Sequence, residues 1–316
     1  MKGAFISILL IAVLAALVFK EKAMERPVEP LVDGCLHCHG EVEDPDPSHR
    51  LSAFGCASCH LGNPYSLKKE RAHLGIVSNP GDLRYADRTC GAAKCHPDIV
   101  ARVKKSVMST NRGILRTIQA HWLKKGDAIP LTVRDLYPED APKNLAVQHF
   151  RKMCGGCHLW KERGDKSKEI GLRGGGCSDC HVPDEPAEYA AARLDPRKHP
   201  KITTRIPSEN CVKCHNRSAR IGLSYFGKHE STGYGTPYEG TQFTSRRLSG
   251  HRFSLSLAAD VHFEKAGMAC VDCHTATGLM GDGKSHDHMA AQVDITCSAC
   301  HLPRLGVEPK AAEDLA

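Results

Sequence analysis

CGGCH at 154–158, the eighteen residues LWKERGDKSKEIGLRGGG at 159–176, and CSDCH at 177–181 make up the stretch around which the chain is organised. Two cysteines separated by two residues and followed at once by histidine form the attachment signature of c-type haem. The spacing follows from the chemistry. Two thioether bonds must reach two vinyl groups on one edge of a porphyrin, and the histidine must bring its imidazole beneath the iron as proximal axial ligand.

The opening stretch supplies Cys154, Cys157 and His158, then Cys177, Cys180 and His181. The pattern recurs at Cys35, Cys38 and His39; at Cys56, Cys59 and His60; at Cys211, Cys214 and His215; at Cys270, Cys273 and His274; and at Cys297, Cys300 and His301. An eighth site, CGAAKCH, holds Cys90, Cys95 and His96 with a four-residue gap. Together the eight pairs use all sixteen cysteines. One CxxC alone would also suit a zinc knuckle, a redox dithiol or half a disulfide framework. Zinc does not demand histidine in the next position every time, and a disulfide scaffold does not set its cysteines in such regular pairs. The expected cofactors are therefore eight covalently attached c-type haems, each with its iron.

Only 5% of the 316 residues are aromatic and the mean hydropathy is −0.36, so a conventional apolar core would be thin. Setting aside the first 26 residues leaves about 36 residues for each haem, far too few for independent cores. The porphyrins must supply much of the interior. The expected fold is mainly α with much irregular structure and little β, wrapped around a chain of eight haems; the 28 glycines and 18 prolines suit such wrapping. The formal charge of +7 invites a nucleic-acid reading, but each haem with ionised propionates carries one negative charge when oxidised and two when reduced. The loaded chain then carries about −1 to −9, and the basic residues read as propionate partners rather than a nucleic-acid surface.

Residues 1–26 contain an apolar run from Ala4 to Phe19 followed by Lys20, a signal peptide or N-terminal membrane anchor. Ala15 and Ala16 lie inside the run and no small-x-small site follows it, which favours a retained anchor. Either way the remainder is expected outside the cytoplasmic membrane, where haem is attached. Intervals between successive motif starts run 21, 34 and 64 residues from Cys35, then 23, 34 and 59 from Cys154, then 27 from Cys270. A repeat of haem triplets is the expected organisation. It divides the chain into 27–140 with haems 1 to 3, 141–250 with haems 4 to 6, and a truncated 251–316 with haems 7 and 8.

Helical periodicity predicts a helix over 97–110, with Pro97 at its first turn and Ile99, Val103 and Val107 on one face. A second, over 114–126, places Ile114, Ile118 and His121 together, with His121 pointing inward. A third, over 142–153, does the same with Leu145 and His149, and a fourth follows Asp184 ahead of His199. Over 251–263, His251, Leu255, Ala258 and His262 fall on one stripe, so that one helix could serve two haems. A turn is expected at Gly281 and Gly283.

Eight of the nineteen histidines are proximal, leaving eleven for the distal positions. The candidates are His49, His73, His121, His149, His199, His229, His251, His262 and His288, with His37 and His286 weaker; His37 lies inside the first motif and is poorly placed for its own haem. Two imidazoles on one iron give a six-coordinate, low-spin, low-potential haem suited to electron transfer, whereas methionine raises the potential. Met153, Met268, Met280 and Met289 read as packing residues. Apart from His158, no histidine lies between Cys154 and Cys177, which leaves room for one five-coordinate haem able to bind a substrate.

Over residues 35–301 the chain resembles the multihaem c-type cytochromes of anaerobic respiration. CGAAKCH resembles a variant motif of small multihaem cytochromes. CVKCHNRSARIGLSYFGKHESTGYGTPY from Cys211 and CVDCHTATGLMGDGKSHDHMAAQVDITCSACH from Cys270 look like segments of cytochromes that accompany respiratory metal or oxyanion reduction. The resemblance implies an extracytoplasmic electron carrier between a membrane donor, such as a quinol-oxidising complex, and an external acceptor, with redox proteins as partners. Two alternatives stand beside it: a subunit of an extracellular cytochrome filament, in which histidines such as His37 ligate haems of the next copy, and an octahaem oxidoreductase acting on a nitrogen or sulfur oxyanion. Against the enzyme, octahaem nitrite reductases use a proximal lysine and are longer chains, while every motif here ends in histidine. Arg217, Arg220, Tyr225 and Lys228 would line an anion site in such an enzyme, or otherwise bind propionates.

Overall fold

A computed structural model describes residues 33–124, 126–138, 141–163, 173–183, 199–215, 224–230, 246–248 and 252–301. The N-terminal segment, the fourth expected helix, His251, Arg217 and Arg220 lie outside them. Among the described residues the chain is mainly helical, in short helices joined by turns, with little strand. None of these helices is long and apolar enough to cross a membrane. The residues fall into two compact units, one of 33–78 with 199–201 and the other of 79–183 with 202–301.

In the first unit four-residue helices span Cys35–Cys38, Leu51–Phe54, Ala57–His60 and Lys69–Ala72. Asp33 ties the first two motifs together. Its carboxylate accepts the backbone N–H of Cys35 (2.9 Å), Ala57 (3.1 Å) and Cys56. Gly55 makes room for it: a Cβ there would lie 2.6 Å from Asp33 Oδ2, on a backbone at φ +68°.

The second unit holds the longer helices, Pro97–Lys105, Arg112–Trp122 and Leu145–Met153. Proline at the first turn and Arg102, Lys104 and Lys105 in the last suit the ends of Pro97–Lys105. The single helix expected over 97–110 breaks at Ser106, which turns extended (ψ 152°) and caps a new helix, Val107–Thr110, by accepting from Ser109 N–H. The capping preference of serine wins over the continuous apolar period. Leu115, Val133, Leu136, Val147 and Phe150 form one small core and Leu83, Ala86, Val100, Val103 and Leu159 another, with Trp160 against both. Met280 packs against the second, as gap-filler.

Three expected faces are corrected. On Arg112–Trp122 the buried stripe is Gly113, Leu115 and Gln119, and Gln119 exchanges two 3.0 Å bonds with the Ile129 backbone. His121 therefore turns outward, with Nδ1 on the Thr117 carbonyl (2.8 Å), and Ile114 is exposed. On Leu145–Met153, capped by Asn144, the inward residues are Ala146, Val147 and Phe150; Leu145 is exposed and His149 is half-buried against Trp122. The helix expected over 251–263 is instead a strand, Arg252–Ser256, paired antiparallel with Lys228–Glu230 and Arg246–Leu248, followed by a short helix, Val261–Glu264. Phe253, Ser254, Leu255 and Ser256 alternate with a period of two, and strand pairing decides in favour of that period. The turn at Gly281 and Gly283 forms as expected, both at positive φ.

Candidate haem sites

A closed turn recurs among the motifs. The histidine N–H returns to the carbonyl of the first cysteine at His39 (2.9 Å to Cys35), His60 (2.8 Å to Cys56), His215 (2.9 Å to Cys211) and His274 (2.9 Å to Cys270). Residues three and four apart on a helical turn share a face, so both thiols and the imidazole project together. CGAAKCH closes in the same way despite its longer gap: His96 N–H meets the Cys90 carbonyl at 2.9 Å. None of the sixteen cysteines is joined in a disulfide.

The histidines meet in twos. Ring centroids lie 6.3 Å apart for His39 and His73, 5.8 Å for His60 and His199, and 5.9 Å for His301 and His262. In each pair one ring belongs to a motif and the other to a distal candidate, and the planes cross at 72°, 80° and 85°. Metal–imidazole bonds of about 2.0–2.1 Å, plus ~1.1 Å from each nitrogen to its ring centre, put two axial imidazoles about 6.3 Å apart. Tautomer control accompanies the spacing. Nδ1 bonds the Val77 carbonyl at His60 (2.7 Å), the Thr203 carbonyl at His181 (2.8 Å), the Pro200 carbonyl at His199 (2.8 Å) and the Asp260 carboxylate at His262 (2.8 Å). Such bonds orient a ligating imidazole and assign its Nε2 to the metal.

His60 and His181 also share a reciprocal arrangement, since Val77 N–H returns to the His60 carbonyl and Thr203 N–H to that of His181, both at 2.8 Å. They belong to the second motif of each expected triplet.

His158 differs. It is buried, and burial first, then Lys161, push its pKa down to about 4, keeping the imidazole neutral. Its Nε2 faces the Tyr137 hydroxyl at 2.8 Å, and its Nδ1 meets no hydrogen-bond partner among the described residues.

Thiols of different motifs touch. Cys177 lies in hydrogen-bonding contact with Cys90, Cys214 with Cys157, and Cys211 with Cys270; these neighbours first, then burial, raise the pKa values of Cys177, Cys214 and Cys211. Cys56 is likewise close to Cys35. Between the fourth, fifth and sixth motifs lies a buried charged cluster. Asp179 pairs with Lys213 at 2.7 Å and Arg163 at 3.6 Å, Arg173 is wholly buried and donates to Cys157 Sγ at 3.1 Å, and Lys161 Nζ meets the Arg173 carbonyl at 3.3 Å. Burial is the main cause raising the pKa of Asp179, against the pull of Lys213.

Of the other distal candidates, His49 bonds Asp46 (2.6 Å) and packs on Phe54, and His286 turns its Nε2 to Asp282 (3.0 Å). His37, His121 and His288 are exposed, and His229 lies in a strand by its backbone. Tyr225 donates to the Met268 carbonyl (2.6 Å) and packs with Phe226 and Phe263; Lys228 begins a strand. Sequence reading missed Asp33, Tyr137 and the cluster around Asp179. Asp33, two residues before Cys35, and Asp179, inside a motif, could have been noticed, whereas nothing in the spacing singles out Tyr137. In comparisons with family models, with curated proteins and with solved structures, nothing matches the chain.

Proposed function

We propose that the chain is an extracytoplasmic octahaem c-type cytochrome, similar in kind to those of anaerobic respiration, that passes electrons along mostly bis-histidine haems between a membrane donor and an external acceptor. The carrying observation is the coincidence of the closed cysteine–histidine turns with three motif histidines, each facing a second imidazole at 5.8–6.3 Å. When bound, haem iron supplies a reversible one-electron couple.

The residues suit that group. Each cysteine pair fixes one porphyrin edge, and the Nδ1 bonds hold imidazoles in the ligating tautomer. Exposed apolar side chains stand beside the ligand positions: Leu74 next to His73, Val261 and Phe263 around His262, Met153 before Cys154. They would wall a porphyrin, and the mainly helical chain would wrap around it. Lys161, Arg163, Arg173 and Lys213 gather near Asp179, and cations of this kind suit haem propionates. Thiol contacts set the neighbours. In the larger unit the third motif meets the fifth, the fourth meets the sixth, and the sixth meets the seventh. Electrons would take that order, with the protein positioning the irons and tuning them.

Stopped-flow reduction of the purified holoprotein, followed at the haem absorption bands, tests the reading. All the irons should be reduced from one low-potential donor and then reoxidised by an added ferric acceptor. Reduction confined to one or two irons would count against a conduit.

A further inference from the structure

We propose that Asp260 is a positioning residue for the haem held by Cys297 and Cys300: its carboxylate, bonded to Nδ1 of His262, makes that imidazole a stronger donor to the iron and so lowers the reduction potential of this one haem. The inference rests on the haem reading above and adds to it a residue that tunes one named site.

The geometry begins at a single oxygen atom. Asp260 Oδ1 accepts the His262 backbone N–H at 2.9 Å and lies 2.8 Å from His262 Nδ1, so the same atom starts the helix Val261–Glu264 and fixes the ring. With Nδ1 donating to the carboxylate, Nε2 is the nitrogen left for a metal. The ring across is that of His301, 5.9 Å away between centroids, in the motif that starts at Cys297.

The acceptor sets this ligand apart from the pair of His60 and His199. There the Nδ1 bonds end on neutral backbone carbonyls, those of Val77 and Pro200. A carboxylate, ionised at neutral pH, draws the Nδ1 proton towards itself and leaves more negative charge on the ring. Charge of that sign favours the oxidised iron over the reduced one, which carries one positive charge fewer. Asp260 is exposed, so water and salt screen its charge at longer range. The hydrogen bond is therefore the route by which that charge reaches an iron, and the effect stays on one haem.

The surroundings hold carboxylate and ring together. Asp260 N–H bonds the Tyr225 carbonyl at 3.2 Å, Met268 N–H returns to the His262 carbonyl at 2.9 Å, and the Tyr225 hydroxyl donates to the Met268 carbonyl at 2.6 Å. Phe263 packs against Tyr225 and Phe226, with ring centroids 5.6 and 4.8 Å away.

A redox titration of the holoprotein followed by low-temperature electron paramagnetic resonance tests this, with covalent haem counted on the same sample. Asp260→Asn is the central variant, since asparagine caps a helix as well as aspartate does and still accepts a hydrogen bond, so that only the charge is lost. One low-spin signal, the one that disappears in His262→Ala, should stay low-spin and become about tenfold easier to reduce, a rise of about 59 mV for one electron. The remaining signals should keep their midpoints. Asp260→Ala, which lacks cap and charge alike, should raise the same midpoint and also lower the melting temperature. An unmoved midpoint in Asp260→Asn, or an equal shift in every signal, would overturn the inference and leave the electron-transfer reading standing. A chain without covalent haem would overturn the underlying reading itself.

Discussion

At Asp33 one carboxylate gathers backbone donors from two motifs. Burial opposes its charge, but the donors of Cys35, Ala57 and Cys56 outweigh it and hold the carboxyl below its ordinary value of 3.8. A depressed folded pKa stabilises above the unfolded value and loses that contribution as pH falls through the folded one. The unit of 33–78 should therefore weaken below about pH 4. Asp33→Ala should cost about 1–2 kcal/mol at neutral pH and flatten this acid dependence, read by thermal melts across pH; an unchanged melting curve would contradict it. A second prediction concerns the axial pairs. His73→Ala, His199→Ala and His262→Ala should each turn one low-spin haem high-spin without loss of covalent haem, and an unaltered resonance spectrum would remove that pair. The motif histidines were legible because a covalent bond dictates their spacing. Their partners were legible only as a pool, since what brings His199 to His60 is tertiary contact across 139 positions of sequence.

At the scale of elements, the fifth motif is seated by two glycines. Gly176 sits at φ +62° just before the helix Cys177–His181, where a Cβ would strike the Gly81 carbonyl, and a Cβ on Gly81 would strike Ser178. Cys177 N–H meanwhile bonds the Gly81 carbonyl at 2.8 Å. Gly176→Ala should cost about 2–4 kcal/mol, strain plus overpacking, whereas Gly126→Ala, at φ +101° with open space around it, should cost only about 1 kcal/mol. Equal melting temperatures for the two variants would show that close backbone approach does not seat the motif. Helical period located Pro97–Lys105, Arg112–Trp122 and Leu145–Met153 but misjudged the faces of the last two. Ile114 and Leu145 are as apolar as the buried Leu115 and Val147, and a helix with apolar residues on two sides leaves the choice of inner face to its neighbours. The strand at Arg252–Ser256 was masked because its partners lie elsewhere in sequence, while two histidines at helical spacing bracket it.

Over the whole molecule, His60 with Val77 and His181 with Thr203 make the same pair of reciprocal bonds at the second motif of each expected triplet. Which motifs touch was not legible, because thiol contacts such as Cys90 with Cys177 and Cys157 with Cys214 skip a motif in sequence. Charge gives a further prediction. The bare chain has an isoelectric point of about 8.6, and eight haems with ionised propionates should bring the purified protein well below that in native isoelectric focusing; focusing near 8.6 would mean that the propionate charge is absent. The account stands first on covalent haem, so its most direct test is the intact mass of the denatured, exported chain, read together with its pyridine haemochrome absorbance. The prediction is eight haems per chain that survive denaturation, with no free thiol left to alkylate. A denatured chain that carries no haem, and whose sixteen cysteines react as thiols, would contradict it.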